Sequence, residues 1–420
     1  MNWVIKENND NESVKTLSNE LNISPILSSM LVNRDVKTFD EAKTFFRPNF
    51  EMLHDPFFMK DMSLAVERIQ KAIKKNESIM IFGDYDVDGT SSVALLSLYL
   101  ESLGLIVTKY LPDRKKEGYG ISINAIDHAF NKKQKLIIAL DCGIKAHKQV
   151  EYAKEKGIEF IICDHHNPDK NLPKALAILN PKRKDCMYPY KELCGCGVGF
   201  KLIQGIETKQ SKDNQIINYL DLVALAIAAD VVPLTGENRV LAFIGLQIIN
   251  SNPRPGIHSL LKKNIKKEYT ISDLMYYVGP RINAAGRMKH ASLALELLIC
   301  NEINSAEKLA LEIEELNTLR RDIEKDITSQ AIEQADNSSE KSNSIVVFNS
   351  DWNKGVIGIV ASRLVDNYYK PSVVFCESSK GVLTASARSI KGLDLYLVIN
   401  QCKDYIDQFG GHKYAAGLTI

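Results

Sequence analysis

The chain has no charge imbalance to speak of, no long apolar run and no paired cysteine motif, and each absence removes a class of protein. Lysine and arginine total 53 against 52 aspartate and glutamate, a formal net charge of +1, so any nucleic-acid footprint has to be local. The longest apolar stretch, Leu222 to Leu234, contains Asp230 and Pro233 and is too short for a bilayer span. Met1 to Glu20 is polar and carries acidic residues, matching neither a secretory signal nor a transit peptide. The eight cysteines are scattered, several of them inside apolar runs (Cys142, Cys163, Cys300), in a chain too large to need staples; this fits a reducing compartment. A soluble cytoplasmic protein without a membrane partner is expected. Cys186, Cys194 and Cys196 lack the second Cys-x-x-Cys pair or nearby histidine that would complete a structural zinc set. There is no Gly-x-Ser-x-Gly elbow for a serine nucleophile, no phosphate-cradling glycine loop ending in Lys-Ser/Thr, and no dinucleotide fingerprint. Fixed-period repeats and low-complexity tracts are also missing.

What the chain does have is a recurrence. Three apolar runs, Ser78–Gly83, Lys135–Leu140 and Glu159–Cys163, each stop on a carboxylate: Asp84, Asp141 and Asp164. Continuous β-branched runs of this kind predict strands buried on both faces, and the helical stretches between them predict a parallel sheet. In open parallel α/β sheets ligands bind outside the carboxyl ends of the strands. Asp84, Asp86, Asp88, Asp141, Asp164, His165 and His166 would gather there.

With 420 residues, 45% hydrophobic and 25% charged, the chain has room for two or three soluble domains. Residues 1 to about 70 predict a helical appendage. An α/β unit runs from Ile79 to about Pro181, and a mostly helical stretch from Cys194 to about Leu298 completes the same domain (71–300), including the segment Val278–Arg287, read as a turn. Leu309, Ile313, Leu316, Leu319, Ile323 and Ile327 keep helical spacing amid dense charge, predicting a long exposed connecting helix (301–343) with one apolar stripe. The polar stretch from Asp336 to Ser344 marks a boundary. A second α/β unit (344–420) follows, with strands at Ile345–Phe348, Ser372–Phe375 and Leu383–Ala387 and a helix at Gly355–Asn367. The last strand stops at Ile420, as a fragment of a longer protein would.

Packing Asp86, Asp88, Asp141, Asp164 and Asp230 into one crevice would cost about 4 kcal/mol per close pair at an effective dielectric of 20. Divalent cations remove that cost, and carboxylates with imidazole suit Mn2+ or Mg2+ better than structural zinc. The ligand count fits two ions. Two such ions clamp the attacking and leaving oxygens of a displacement at phosphorus and lower the pKa of water, so phosphoester hydrolysis by water is the expected chemistry. Asp84-Tyr-Asp-Val-Asp-Gly89 is not an EF-hand loop, since Leu95 stands at the twelfth position where a glutamate is required. Local basic candidates for an anionic partner are Arg114, Lys115 and Lys116; Lys182, Arg183 and Lys184; and Lys262, Lys263, Lys266 and Lys267, with the solvated surface as the plain alternative for each. Tyr85, Tyr119 and Trp352 are candidate stacking surfaces or core aromatics.

Asp84-Tyr-Asp-Val-Asp-Gly-Thr90, Asp141-Cys-Gly143, Asp164-His-His166 and Ala229-Asp230 resemble the four motifs of the DHH phosphoesterases, and Gly410-Gly-His412 with Ala415-Ala-Gly417 resembles the signature of the DHH-associated domain. Asp-x-Asp-x-Asp-Gly, Leu179-Asn-Pro-Lys-Arg183 and Gly279–Arg287 are similar to the branch that degrades single-stranded DNA from the 5′ end. The resemblance implies an α/β fold: a parallel-sheet DHH domain joined by a long helix to a second α/β, DHH-associated domain. It implies Asp86, Asp88, Asp141, His165 and Asp230 as metal ligands, with Asp84 where related enzymes place a histidine ligand. Asp164 would orient the histidine pair, and His166 would face the scissile phosphate, making Asp141, Asp164 and His166 the catalytic set. Arg114, Ser386 and Arg388 would surround the 5′-terminal phosphate; His412 with Gly410 and Gly411 would contact phosphate; and Arg281, Asn283 and Arg287 would contact the backbone. Single-stranded DNA is the implied substrate, in repair and recombination. Single-strand-binding protein and a helicase are implied partners by analogy, and a monomer is expected. A DHH phosphodiesterase of oligoribonucleotides or cyclic dinucleotides, and a non-catalytic DHH scaffold, are the alternatives.

Overall fold

The computed structural model describes residues 10–114, 116–210, 215–337 and 342–420, so Lys115 and part of the boundary at 336–344 lie outside the described residues. Three short helices open the chain: α1 (Asn11–Leu21), α2 (Pro25–Val32) and α3 (Phe39–Phe46). Each starts on a capping side chain, Asp10, Ser24 ahead of Pro25, and Thr38 in a reciprocal box with Glu41. They close a small core of Leu17, Leu31, Val32, Val36 and Ala42. After them α4 (Met62–Lys74) carries the chain into the first sheet.

That sheet has five strands, β1 (Ile79–Gly83), β2 (Val107–Tyr110), β3 (Leu136–Leu140), β4 (Glu159–Cys163) and β5 (Ala177–Leu179), in the order β2-β1-β3-β4-β5. All four pairings are parallel. β1 and β3 are buried throughout and only Glu159 of β4 is exposed. The crossovers are α5 (Val87–Ser102), α6 (Ile123–Asn131) and α7 (His147–Glu155). The order reverses at β1 and β3, so the carboxyl ends of β1, β3 and β4 stand side by side at the switch point where α/β sheets bind ligands.

The helical half comprises α8 (Gly195–Gln210), α9 (Leu220–Asp230), α10 (Gly236–Ser251), α11 (Pro255–Leu261), the single turn α12 (Ile271–Asp273), α13 (Gly279–Met288) and α14 (Ser292–Ile299). The segment Val278–Arg287 is helix, not the turn expected from its Gly-Pro pair. Pro280 sits in the first turn of α13, where its missing N–H has no intrahelical partner to lose, and a π-helical stretch, Leu274–Val278, leads into it. Arg239 of α10 stacks on Phe45 of the appendage, 3.5 Å from the ring centroid.

One buried network joins the 54–59 segment to this half. Lys201 is fully buried; its Nζ donates to the His54 carbonyl at 2.7 Å and lies 3.1 Å from Glu237 Oε1. Tyr188 Oη donates to Glu237 Oε2 at 2.5 Å. Glu237→Ala, which strands the ammonium, is expected to cost about 3–5 kcal/mol in urea unfolding, and a loss under about 1 kcal/mol would contradict this packing.

α15 (Ile303–Asn337) is a long helix between the two sheets, and of the expected stripe Ile313 and Ile327 are buried and Leu309, Leu316 and Ile323 pack against a core. Ala306, Ala310, Ile313, Asn317, Glu324, Ile327 and Ala331 are buried, whereas Leu319 is 48% exposed. Ala306 and Ala310 join Leu309, Ile313 and Leu316 on the face that α11, α13 and α14 cover, and Leu319 falls outside it. The second sheet holds β6 (Ile345–Phe348), β7 (Ser372–Ser379), β8 (Val382–Arg388), β9 (Gln408–His412) and β10 (Ala415–Thr419), in the order β6-β7-β8-β10-β9, with α16 (Ile357–Tyr368) and α17 (Leu395–Gln401). Only β6 and β7 pair in parallel. The glycine motif forms the hairpin β9–β10, where a Cβ on Gly411 would stand 2.3 Å from the Ala415 carbonyl oxygen. Among the described residues no helix is long and apolar enough to cross a membrane.

Candidate metal centre

The first acidic turn is made by close approach. Asp86 caps α5 by accepting from Gly89 N–H at 3.0 Å, and a Cβ on Gly89 would meet the Asp84 carbonyl oxygen at 2.4 Å. Only glycine lets the helix start against the strand end. Asp88, one residue into the helix, is buried and accepts from the N–H groups of Gly195 and Cys196, each at 2.7 Å. Its carboxylate thus meets two orphan donors at the positive end of α8. A side chain at 195 would strike Asp141, whose Oδ1 lies 2.6 Å from the position of a Cβ.

Asp141 follows β3 with φ 59°, a left-handed conformation that costs a non-glycine residue about 1–3 kcal/mol and clusters at functional sites. At the end of β4, Asp164 Oδ1 accepts from the N–H of His165 (2.7 Å), the N–H of His166 (3.0 Å) and His166 Nδ1 (2.7 Å), and Oδ2 accepts from Ile144 N–H at 2.9 Å. Asp230 ends α9. His165 Nε2 then lies 3.2 Å from Asp141 Oδ1, 3.6 Å from Asp230 Oδ2 and 3.9 Å from Asp88 Oδ2. Two triads result, Asp141–His165–His166 and Asp88–His165–Asp230, each with ligand atoms within 4.8 Å. Neither contains Asp84 or Asp86. Asp84 is buried beside them with Oδ1 unpartnered.

Electrostatics marks the cluster as unfinished. Burial first, then Asp86, pushes Asp88 up to about 7; burial first, then Asp88 and Asp86, pushes Asp230 up to about 8. Burial and the neighbouring carboxylates hold Asp84 and Asp141 well above the usual carboxylate range. His165 is pushed down to about 3, chiefly by burial, so it is a neutral donor near pH 7. Asp141 Oδ1 and both His165 ring nitrogens lack a well-formed hydrogen bond. Buried polar atoms are normally satisfied. Carboxylate and imidazole atoms orphaned together form the donor set of a divalent cation. Burial opposes the charged form of His166, but the Asp164 bond and charge outweigh it and raise its pKa. The same pairing outweighs burial at Asp164 and lowers it to about 2.

Facing the acids is a cationic wall drawn from both domains. Arg114 Cζ lies 4.7 Å from the Tyr85 ring centroid, Arg287 Nη1 donates to the Gly355 carbonyl at 2.8 Å, and Arg388 Nη1 donates to Ser386 Oγ at 3.1 Å. Burial, then the Arg114 and Arg320 cations, brings Arg287 down to about 9; burial and Arg114 lower Arg388; and partial desolvation, Arg388 and His166 lower His412. His412 and its neighbours Gly410 and Gly411 are exposed on the hairpin. Asn283 is half-buried on α13.

Several expected contacts do not join this wall. Arg281 is turned into α15, where Nε donates to Glu314 at 2.5 Å and Nη1 to the Tyr277 carbonyl at 2.7 Å. Its guanidinium ties two helices and is not offered to a strand. Trp352 is 4% exposed and donates to Gln330, a core aromatic. Arg183 is buried against Asp61, Asp185 and the Ile178 carbonyl, and Lys262 and Lys266 pair with Glu307 and Asp273.

Three contributors have roles that the sequence does not announce. Tyr119 Oη lies 3.2 Å from His166 Nε2, Asn180 Nδ2 donates to the His166 carbonyl at 2.9 Å, and Gly195 supplies backbone to Asp88. Asn180-Pro181 and Cys194-Gly-Cys196 are visible as motifs, but only the fold shows what they touch.

Residues 78–227 match the DHH family, N-terminal domain, and residues 341–420 the DHHA1 domain. The single-stranded-DNA-specific exonuclease RecJ of Bacillus subtilis is 39% identical, over 100% of this chain and 53% of that protein. That of Haemophilus influenzae is 37% identical over 96% and 73%. The crystal structure of RecJ in complex with Mn2+ from Thermus thermophilus superposes with a TM-score of 0.85 at 26% identity, over 97% of this chain and 58% of that one. Another, exonuclease RecJ bound to manganese, gives 0.77 at 29%, over 88% and 91%. The chain spans about half the length of the Bacillus subtilis relative.

Proposed function

The chain belongs to the RecJ family within the DHH proteins, and from that premise we propose that it is a metal-dependent exonuclease removing nucleotides from the 5′ end of single-stranded DNA, in repair and recombination. The observation that carries the reading is one buried imidazole whose Nε2 lies within 3.9 Å of three carboxylates, Asp88, Asp141 and Asp230, opposite arginines from two domains. Asp84, Asp86, Asp88, Asp141, His165 and Asp230 would hold two Mn2+ or Mg2+ ions. Such a pair supplies charge neutralisation, polarises phosphoryl oxygens and acidifies water.

This chain's own residues do the rest. Asp164 fixes the His166 ring through Nδ1, so that Nε2, which Tyr119 Oη meets at 3.2 Å, is the atom that would turn to a phosphate oxygen or leaving group; the raised pKa of His166 favours the charged, donating form. Arg114, Arg388 and Ser386 would bind the 5′-terminal phosphate with guanidinium forks, and His412 and Arg287 would follow the backbone. A single strand would be held between these groups by charge and stacking without needing a duplex shape.

Digestion of long 5′-phosphorylated single-stranded DNA in Mn2+ is expected to outpace digestion of dinucleotides. Preference for the dinucleotide would point to the small-substrate phosphodiesterases, and binding without hydrolysis to a scaffold.

The raised carboxyls give a second test. A carboxyl whose folded pKa exceeds its unfolded value of about 4 contributes stability at low pH that is lost as pH rises through the folded pKa. With Asp88 at about 7 and Asp230 at about 8, these carboxyls should cost the metal-free protein melting temperature from about pH 4, where the unfolded chain ionises, up to about pH 8, above which their contribution is flat. Saturating Mn2+ should flatten that slope, and calorimetry should detect proton release on binding. A metal-free melting temperature that is flat or rises across the window would contradict the cluster.

A further inference from the structure

We propose that Glu117 is a positioning residue: through the loop between β2 and α6 it holds Tyr119 on His166 and Arg114 beside the acidic cluster as one piece, so that 5′-end recognition and histidine orientation are set together. The inference rests on the exonuclease reading above.

One carboxylate organises the whole loop. Glu117 Oε2 accepts from Tyr110 Oη at 2.9 Å and from Ser122 Oγ at 2.5 Å, while Oε1 accepts from Asp113 N–H at 2.8 Å. Those partners are the end of β2, the start of the loop and the N-cap of α6, whose Ser122 Oγ also accepts from Ala125 N–H at 3.1 Å. Tyr110 is itself fixed, stacked on the buried Phe82 of β1 with centroids 5.7 Å apart. Glu117 thereby ties the loop to the rigid sheet.

The loop carries two groups that face the site. Tyr119 stands between Gly118 and Gly120, at φ 80° and 83°, conformations that glycine adopts without strain. Tyr119 is 60% exposed, and an aromatic so placed would ordinarily sample many orientations. Here its hydroxyl lies 3.2 Å from His166 Nε2 and its ring meets Tyr85 edge-on at 6.4 Å. Arg114, from the same segment, lies over the Tyr85 ring, its Cζ 4.7 Å from the centroid. Tyr85 is thus met by two residues of one tethered segment. The hydrogen bonds of Glu117 run to Tyr110, Asp113 and Ser122 and not to an acid or histidine of the cluster, so its influence has to pass through the loop.

The test compares single-stranded oligonucleotides bearing a 5′-phosphate or a 5′-hydroxyl, reading kcat and KM in Mn2+ and binding by fluorescence anisotropy in chelator. Glu117→Ala is expected to lower kcat and the preference for the 5′-phosphate in binding by about tenfold each, the scale of a lost buried hydrogen bond. Glu117→Gln should recover most of both: its carbonyl accepts from Asp113 N–H, and its amide donates to the hydroxyls of Tyr110 and Ser122, which can reverse their roles. Tyr110→Phe keeps the ring stack, removes one of the three bonds, and should shift both readouts the same way by about threefold. If Glu117→Ala does not fold, Tyr110→Phe decides alone. A Glu117→Ala protein that melts lower yet keeps kcat and end preference within about twofold of wild type overturns the inference. So does a Glu117→Gln protein as impaired as the alanine variant. A wild-type chain that degrades neither oligonucleotide sinks the exonuclease reading itself; an active wild type with unaffected variants sinks only the role of Glu117.

Discussion

Asp141→Asn is expected to lower kcat on single-stranded DNA by at least about a thousandfold, roughly 4 kcal/mol of barrier, while the metal-free protein melts no lower than wild type. The two halves of this expectation come from the same geometry. Asp141 Oδ1 is buried, has no well-formed hydrogen bond and lies 3.2 Å from His165 Nε2, so it stabilises nothing that an amide would forfeit. Its ionised form is opposed by burial and then by Asp88, Asp86, Asp230 and Asp164. A neutral isostere relieves that repulsion. It also removes an anionic ligand from the triad with His165 and His166, so the melting-temperature rise that Mn2+ gives the wild type should shrink or vanish. Steady-state hydrolysis and thermal melts with and without Mn2+ check both halves. A rate within about tenfold of wild type would remove Asp141 from the chemistry.

The second large effect belongs to His166. His166→Ala should reduce kcat by about 10²–10⁴, the range for a positioned acid–base group, with KM changed far less and with Mn2+ affinity lowered less than by Asp141→Asn, because the variant removes an imidazole from the Asp141–His165–His166 triad and leaves every carboxylate in place. Asp164→Asn should reproduce part of that loss. The Nδ1 contact at 2.7 Å would then be to a neutral oxygen, and the imidazole would lose the charge that raises its proton affinity. If His166→Ala instead abolishes Mn2+ binding while single-turnover chemistry at saturating metal stays normal, the residue is a ligand and not the phosphate-facing group. The variant series separates these outcomes because His165 and His166, although adjacent, present their rings to different partners: His165 to carboxylates of three elements, His166 to Asp164 and Tyr119.

Much of this centre could be read from the chain because the information is local. A run such as Leu136–Leu140, buried on both faces, needs no knowledge of its neighbours to be recognised as a strand, and the acid at its end needs only the parallel-sheet rule to be placed at the ligand edge. The connecting helix was legible for the same reason, since a periodic stripe amid charge is a property of the segment itself. Arg281 shows the opposite case. Nothing next to it in sequence distinguishes a phosphate contact from a helix tie, and Glu314, which takes its guanidinium, lies 33 positions away. Trp352 is settled in the same way by Gln330, and α13 by the π-helical stretch that delivers Pro280 into a first turn. Tyr119 stands out in the sequence only as an aromatic, and its hydroxyl acquires a role when β4 brings His166 to it.

Alternation of apolar runs with helices, and the placing of acids and histidines at the run ends, were determined by the sequence alone, because burial and backbone hydrogen bonding act on each segment separately. Which of those acids share an imidazole, which arginines face them and which are spent in ion pairs, and which glycines must lack a side chain were decided only by the tertiary structure. Those are distances between segments, set when β1, β3 and β4 align their tips and the second domain brings Arg388 up to Arg114.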